Sequence, residues 1–276
     1  MPELPEVETV KETLKCNIIG KKITNIEVYY DKIIQGSCND FISALKNEKI
    51  VDIKRVGKYL VFVFEKHIML SHLRMEGKYN YIESYDKSIL TTHDHVVFCF
   101  ENQNCLVYND TRKFGTMEVF NTNDLEEVRK MKPLNKLGIE PLTNELTFEY
   151  LKEKICKLKK PLKTVLLDQS IISGLGNIYA DEVCFMSKLH PLTLTNSLTD
   201  EDINNIIKSA NIVIEKAIKL GGTTIRSFTS SHMITGRFQN ELLVHTKDVC
   251  QCGNKITKIF VGGRGTYYCE KCQKRG

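Results

Sequence analysis

The spacing of apolar positions changes character twice along the chain. "PEVETVKETL" puts Val7, Val10 and Leu14 on one helical face. Pro5 suits a first helical position, and carboxylates crowd the first turn, where the helix dipole favours them. The period then shortens to two: "KIVDIKRV", "YLVFVF", "HIMLSHL", "HVVFCF", "CLVY" and "TMEVF" read as strands separated by turn residues. Residues 1–132 are predicted to form an antiparallel β-sandwich with one helix at its edge. After Phe120 helical spacing returns in "NDLEEVRKM". Gly138 and Pro141 break the next stretch, which predicts a linker over 133–146. Four helical patterns follow: "TFEYLKEKICKLK", "KTVLLDQS", "IYADEVCFMSKL" and "DEDINNIIKSANIVIEKAIKL", the last stopped by Gly221-Gly222. They predict a helical domain over 147–240. Residues 241–276 hold too few large apolar groups to fold unaided. The fold class is α+β, multidomain.

Composition narrows the function. A chain of 276 residues, 42% hydrophobic, fills a sizeable core. No apolar run reaches the length of a membrane span, and the start lacks a signal-peptide layout. A soluble cytoplasmic protein is expected, with its ten cysteines reduced or bound to metal rather than paired in disulfides. Net charge is +5, and its position matters more than its size. Residues 247–276 hold Lys247, Lys255, Lys258, Arg264, Lys271, Lys274 and Arg275 against Asp248 and Glu270. This basic, cysteine-rich end predicts contact with nucleic acid over a merely solvated tail.

Within it, Cys250-x-Cys252-x16-Cys269-x2-Cys272 sets two close cysteine pairs apart, the arrangement that surrounds one tetrahedral zinc. The first pair is one residue short of the usual Cys-x-x-Cys. An extended backbone through Cys250 and Cys252 would aim both sulfurs to one side; otherwise His245 or Asp248 supplies the fourth ligand. The remaining cysteines are expected as small buried apolar groups. In "GLGNIYADE" two glycines precede Asn177 at a helix start, which suits either a phosphate or an ordinary cap. "NDTRKFG" groups Arg112, Lys113 and Phe114 in an inter-strand turn, where a cation beside an exposed aromatic can fill a gap in stacked bases. "SHLRMEG" ends a strand with His72, Arg74, Met75 and Glu76. The opening "MPELPEVETV" sets Pro2 just ahead of a helix and a run of acids. Either this carries no meaning, or Pro2 becomes the N-terminus and its secondary amine is a reagent.

Together these segments resemble the formamidopyrimidine-DNA glycosylase family: "PELPEVET", "GKYL", "SHLRMEG", "THDHVVF", "DTRKFG", "LLDQS…GLGNIYADE" and "GGRGTYYCEKCQK" fall in that family's order across nearly the whole chain. The resemblance implies a helix-two-turn-helix element in the helical domain, a zinc-finger hairpin carrying one zinc, and duplex DNA bearing oxidised purines as substrate. It implies excision of the damaged base through a Pro2 Schiff base, then β,δ-elimination at the abasic site, by a monomer. By position, Pro2 is the nucleophile, Glu3 the acid/base, Glu6 its orienter, Lys58 the lysine of β-elimination and Arg264 the arginine of δ-elimination. His72, His93, Lys159 and Asn177 match positions near the DNA backbone; Met75, Arg112 and Phe114 match the wedge that fills the vacated stack. Glu76, Lys163, Thr224 and the 230–238 loop are expected to read the lesion. An endonuclease VIII-like enzyme for oxidised pyrimidines would share the fold, but "PELPEVET" rather than a "PEGPE" start favours the purine branch. An inert damage-binding zinc protein would not require Pro2, Glu3 and Lys58.

Overall fold

The computed structural model describes residues 1–223 and 236–274, which form two compact units. Of these residues, 1–135 with 223 and 236 form the first, and 136–222 with 237–274 the second.

The first unit opens with α1 (Leu4–Ile18). Its face of Val7, Val10, Leu14 and Ile18 is buried in the main core. At about 1.5–3 kcal/mol per buried aliphatic side chain, this outweighs the up to about 0.7 kcal/mol that each of its β-branched residues costs a helix. Then come β1 (Ile23–Val28), α2 (Cys38–Leu45), β2 (Ile50–Val56), β3 (Tyr59–Phe64), β4 (Ile68–His72), β5 (Lys78–Ile82), β6 (Asp94–Phe100), β7 (Cys105–Asn109), β8 (Thr116–Phe120) and α3 (Leu125–Arg129). Two antiparallel four-stranded sheets result, in the orders β1-β6-β7-β5 and β2-β3-β4-β8. Period-two spacing misses β1, β5 and α2. Both missed strands are sheet edges, and "ITNIEV" and "KYNYI" carry the polar residues that edges tolerate. The core between the sheets takes Phe62, Phe64, Phe98, Phe100 and Tyr108.

In the second unit α4 (Phe148–Ile155), α5 (Leu162–Leu166), α6 (Asn177–Met186) and α7 (Asp200–Lys219) precede a hairpin of β9 (Thr257–Val261) and β10 (Arg264–Tyr268). Thr199 and Asp202 close a capping box on α7. Gly262 and Gly263 join β9 to β10 with φ of 55° and 75°, the two-residue turn that the right-handed twist of a hairpin prefers and that only residues free to take positive φ make cheaply. Beneath the hairpin lies a small core of Val244, Cys250, Ile256 and Cys269, with Phe185 of α6 packed against it. Among the described residues no helix is long and apolar enough to cross a membrane.

Candidate active site and zinc centre

The start of α1 is built by two buried carboxylates. Glu3 and Glu6 form a reciprocal capping box: the Glu3 side chain accepts from the Glu6 N–H, and Glu6 Oε2 accepts from the Glu3 N–H at 2.9 Å. Glu6 thus holds the Glu3 backbone. Its other oxygen, Oε1, accepts from the Thr223 N–H at 2.7 Å and the Thr223 hydroxyl at 3.0 Å. Sequence reading missed Thr223, which lies 217 residues away. The terminal amine, here that of Met1 just ahead of Pro2, is depressed below its ordinary 8.0 by burial. Lys58 adds to that depression, while Glu3, Glu6 and Glu76 oppose it. Pro2, Glu3, Glu6, Lys58 and Glu76 therefore share one electrostatic neighbourhood.

His72 ends β4, 8% exposed. Burial, with Arg74 and Lys58 nearby, pushes its pKa down to about 3, so the ring is neutral. Nδ1 accepts from the Arg74 N–H at 2.9 Å, which leaves the proton on Nε2 as a donor. Met75 is half-buried and His93 exposed. Glu76 accepts a hydrogen bond from the Thr111 hydroxyl.

The turn after β7 is organised by Asp110, which spacing does not reveal. Oδ1 accepts from Arg112 N (3.0 Å); Oδ2 accepts from Phe114 N (3.0 Å) and Gly115 N (2.8 Å). This leaves Phe114 52% exposed, with the Arg112 guanidinium 4.9 Å from its ring centre. Charge and aromatic surface are thereby presented as one piece. Gly77 and Gly115 leave room for the Tyr108 hydroxyl: a Cβ would come within 2.3 Å of it at Gly77 and 1.6 Å at Gly115.

In the second unit, Lys163 departs from expectation. Its side chain has no exposed surface and pairs with Asp181 at 2.7 Å. It also donates to Thr266 Oγ1 (2.8 Å) and to the Gly265 carbonyl (3.1 Å). A group so enclosed is not available to read a base; it ties α5 and α6 to the hairpin. Asn177, the first residue of α6, donates to the same Gly265 carbonyl at 3.0 Å, and its Oδ1 is buried without a hydrogen-bond partner. Asp181 Oδ2 takes the Tyr267 N–H (3.2 Å) and His245 Nδ1 (2.7 Å). The outer edge of β10 is thus satisfied by side chains instead of a third strand. Glu182 accepts the N–H groups of Leu243, Val244 and His245. A sequence signal existed for both acids: they stand side by side on a helix with no basic residue. Arg264 is exposed at the hairpin turn, and Lys159 is exposed beyond α4. Thr224 and residues 230–235 of the expected reading loop lie outside the described residues.

The sulfurs of Cys250, Cys252, Cys269 and Cys272 all lie within 4.8 Å of one another. Cys250–Cys272 and Cys252–Cys269 are 3.8 and 3.7 Å apart. A tetrahedron of about 2.3 Å Zn–S bonds has edges of about 3.8 Å, so this set takes one structural zinc. His245 is engaged by Asp181 and is not a ligand. Nor is the Cys-x-Cys segment extended. The Gly253 N–H bonds back to the Cys250 carbonyl at 2.8 Å, with Gly253 at φ 82°, and the turn wraps both sulfurs round one point. Of the other cysteines only Cys105 and Cys184 are buried; Cys16 is exposed, and Cys38, Cys99 and Cys156 are intermediate.

An N-terminal sandwich, a helical unit and a four-thiolate finger define the class, and comparison with known proteins agrees. Residues 1–117 match the formamidopyrimidine-DNA glycosylase N-terminal domain, 137–229 the H2TH domain of the same proteins, and 251–275 the zinc finger found in FPG and IleRS. The formamidopyrimidine-DNA glycosylases of Exiguobacterium sibiricum and Ligilactobacillus salivarius are 45% and 46% identical, each alignment covering 99% of both chains. The Lactococcus lactis Fpg solved with abasic-site DNA superposes with a TM-score of 0.91 at 39% identity, over 99% of this chain and 100% of that one. The same enzyme has been solved with N7-benzyl-Fapy-dG DNA and with DNA containing an oxidised pyrimidine. The chain belongs to the formamidopyrimidine-DNA glycosylase family.

Proposed function

We propose that the chain excises oxidised purines, 8-oxoguanine and formamidopyrimidines, from duplex DNA and cleaves the strand at the abasic site. The observation that carries this is the α1 start: the partly buried terminal amine of Met1, one residue ahead of Pro2, is held below its ordinary pKa beside two buried carboxylates and Lys58. In this reading Met1 is removed and Pro2 presents its secondary amine. The nitrogen attacks C1′ as the glycosidic bond breaks and the base leaves with a proton. Ring opening of the sugar gives an iminium, with Glu3 serving the proton transfers. The iminium acidifies C2′; loss of that proton expels the 3′ phosphate, with Lys58 assisting. A second elimination expels the 5′ phosphate, with Arg264 serving that step. Glu6 acts on Glu3 through its backbone. Arg112, Phe114 and Met75 fill the vacated stack, Arg112 donating to the unpaired cytosine. The Nε2 proton of His72, with His93, Lys159 and Asn177, serves the backbone. Glu76 and Thr224 contact the lesion. Residues 1–132 act as the catalytic domain, 147–240 as the DNA-binding domain and 241–276 as the zinc finger, whose metal supplies structure alone.

Borohydride trapping tests this. A duplex with 8-oxoguanine opposite cytosine should yield a covalent complex through residue 2, and protein carrying an added blocking residue should yield none. Excision by verified blocked protein would overturn the mechanism. The relative solved with oxidised-pyrimidine DNA supports a second reading, so a thymine glycol duplex belongs beside the first. Faster trapping there would move the chain to the pyrimidine branch.

A further inference from the structure

Cys99 and Cys105 stand directly opposite each other on the antiparallel strands β6 and β7. Antiparallel pairs alternate between hydrogen-bonded and non-hydrogen-bonded, and two observations fix which kind this is. The Phe100 N–H donates to the Asn104 carbonyl across the hairpin at 2.8 Å, so the next pair inward is non-hydrogen-bonded. The Cys99 carbonyl points the other way, accepting from the Thr24 hydroxyl on β1 at 3.1 Å. Such pairs bring Cα atoms to about 4.5 Å, inside the about 4.4–6.8 Å that a disulfide spans.

Both side chains lie on the sheet face away from the sandwich core, in a separate apolar cluster with Val97, Val107, Ile82 and Tyr85. Cys105 is buried and Cys99 only partly so. One thiol is therefore open to a small oxidant while its partner is shielded behind it. Outside the zinc set, this is the one pair of described thiols that sheet register sets face to face.

We propose that Cys99 and Cys105 form a reversible cross-strand disulfide on exposure to peroxide. Cys99 Sγ attacks one peroxide oxygen, breaking the O–O bond and leaving a sulfenic acid and a water. Cys105 Sγ then displaces that hydroxyl as a second water. Two thiols are oxidised, one peroxide is reduced, and one S–S bond forms. An excess of a small dithiol reverses the step by exchange. The buried surroundings set the speed: burial and the nearby Glu27 carboxylate push Cys99 up, and burial pushes Cys105 up to about 12. Thiolate is scarce at neutral pH, and the rate should climb about tenfold per pH unit from 7 towards the Cys99 pKa.

The zinc-loaded full chain is treated with hydrogen peroxide, alkylated, and digested without reduction by a protease that cuts after Glu101, between the two cysteines. The expected product is a cross-linked peptide pair joined through Cys99 and Cys105, lighter than the separate peptides by two hydrogens and released by dithiothreitol. In Cys105→Ser, Cys99 should pass to the sulfinic acid under conditions where wild type gives the disulfide. Both thiols alkylated after treatment, Cys99 over-oxidised beside a free Cys105 in wild type, or Cys99 joined to any other cysteine would each overturn the proposal.

Discussion

Lys163 Nζ lies 2.7 Å from Asp181 Oδ1, and neither side chain has any exposed surface. Breaking a buried pair costs more than the pair contributes, because one charge stays behind unpaired, typically about 3–5 kcal/mol. Here Asp181 keeps His245 and the Tyr267 N–H, so Lys163→Met should destabilise the second unit near the lower end, about 3 kcal/mol. Urea unfolding measures it. A loss under about 1 kcal/mol would show that Lys163 is not needed to neutralise Asp181.

The two glycines around Tyr108 make a discriminating pair. Gly115→Ala brings Cβ to 1.6 Å from the Tyr108 hydroxyl, and Gly77→Ala brings it to 2.3 Å from that hydroxyl and 2.6 Å from the Leu73 carbonyl. Each should cost about 1–3 kcal/mol by overpacking. Tyr108→Phe should restore part of the loss in Gly115→Ala and little of it in Gly77→Ala, whose clash with backbone remains. Thermal melting of the four variants decides; equal rescue at both sites would contradict the geometry.

His72 supplies a pH dependence. Its pKa falls from 6.5 to about 3 on folding, so the unfolded chain binds the extra proton between those values. Stability is fully present above about pH 6.5 and falls by about 1.4 kcal/mol per unit as pH drops below it. Between pH 7 and pH 5 that is about 2 kcal/mol, and His72→Gln should flatten this limb. The test compares urea midpoints of both proteins at the two pH values; parallel limbs would mean His72 is not the group responsible.

Zinc removal should act locally. X-ray absorption should find four sulfurs at about 2.3 Å and no imidazole nitrogen. Chelation should unfold the β9–β10 hairpin and abolish DNA binding while the sandwich keeps its melting transition. A nitrogen shell, or DNA binding that survives full metal loss, would refute this assignment.

The parts legible in the sequence are those with short-range signatures. The α1 stripe, the six apolar strands, the Gly221-Gly222 helix stop and each close cysteine pair lie within a few residues. What escaped was set at long range or by shape. β1 and β5 are edges whose polar residues blur the alternation. Thr223 meets Glu6 and Asp181 meets Lys163 only after folding. Asp110 looks like any turn aspartate until three backbone N–H groups converge on it. Lys163 reads as a lesion contact because it stands just ahead of a family motif, and spacing alone does not reveal the carboxylate buried beside it.

The side chains along the outer edge of β10 act as an index, as a pawl does on a ratchet. Slipping the hairpin by one residue would turn Gly265 O and Tyr267 N away from Lys163, Asn177 and Asp181; Lys163 and Asp181 would keep each other, but a lysine donor, the Asn177 amide and a carboxylate lone pair would be left buried without partners. Intermediate settings of the strand are therefore costly, and Arg264 occupies one discrete station. A residue inserted between Gly262 and Gly263 should be taken up in the turn and leave DNA cleavage largely intact, whereas one inserted between Arg264 and Gly265 should move the arginine a full step and impair it in a strand-cleavage assay.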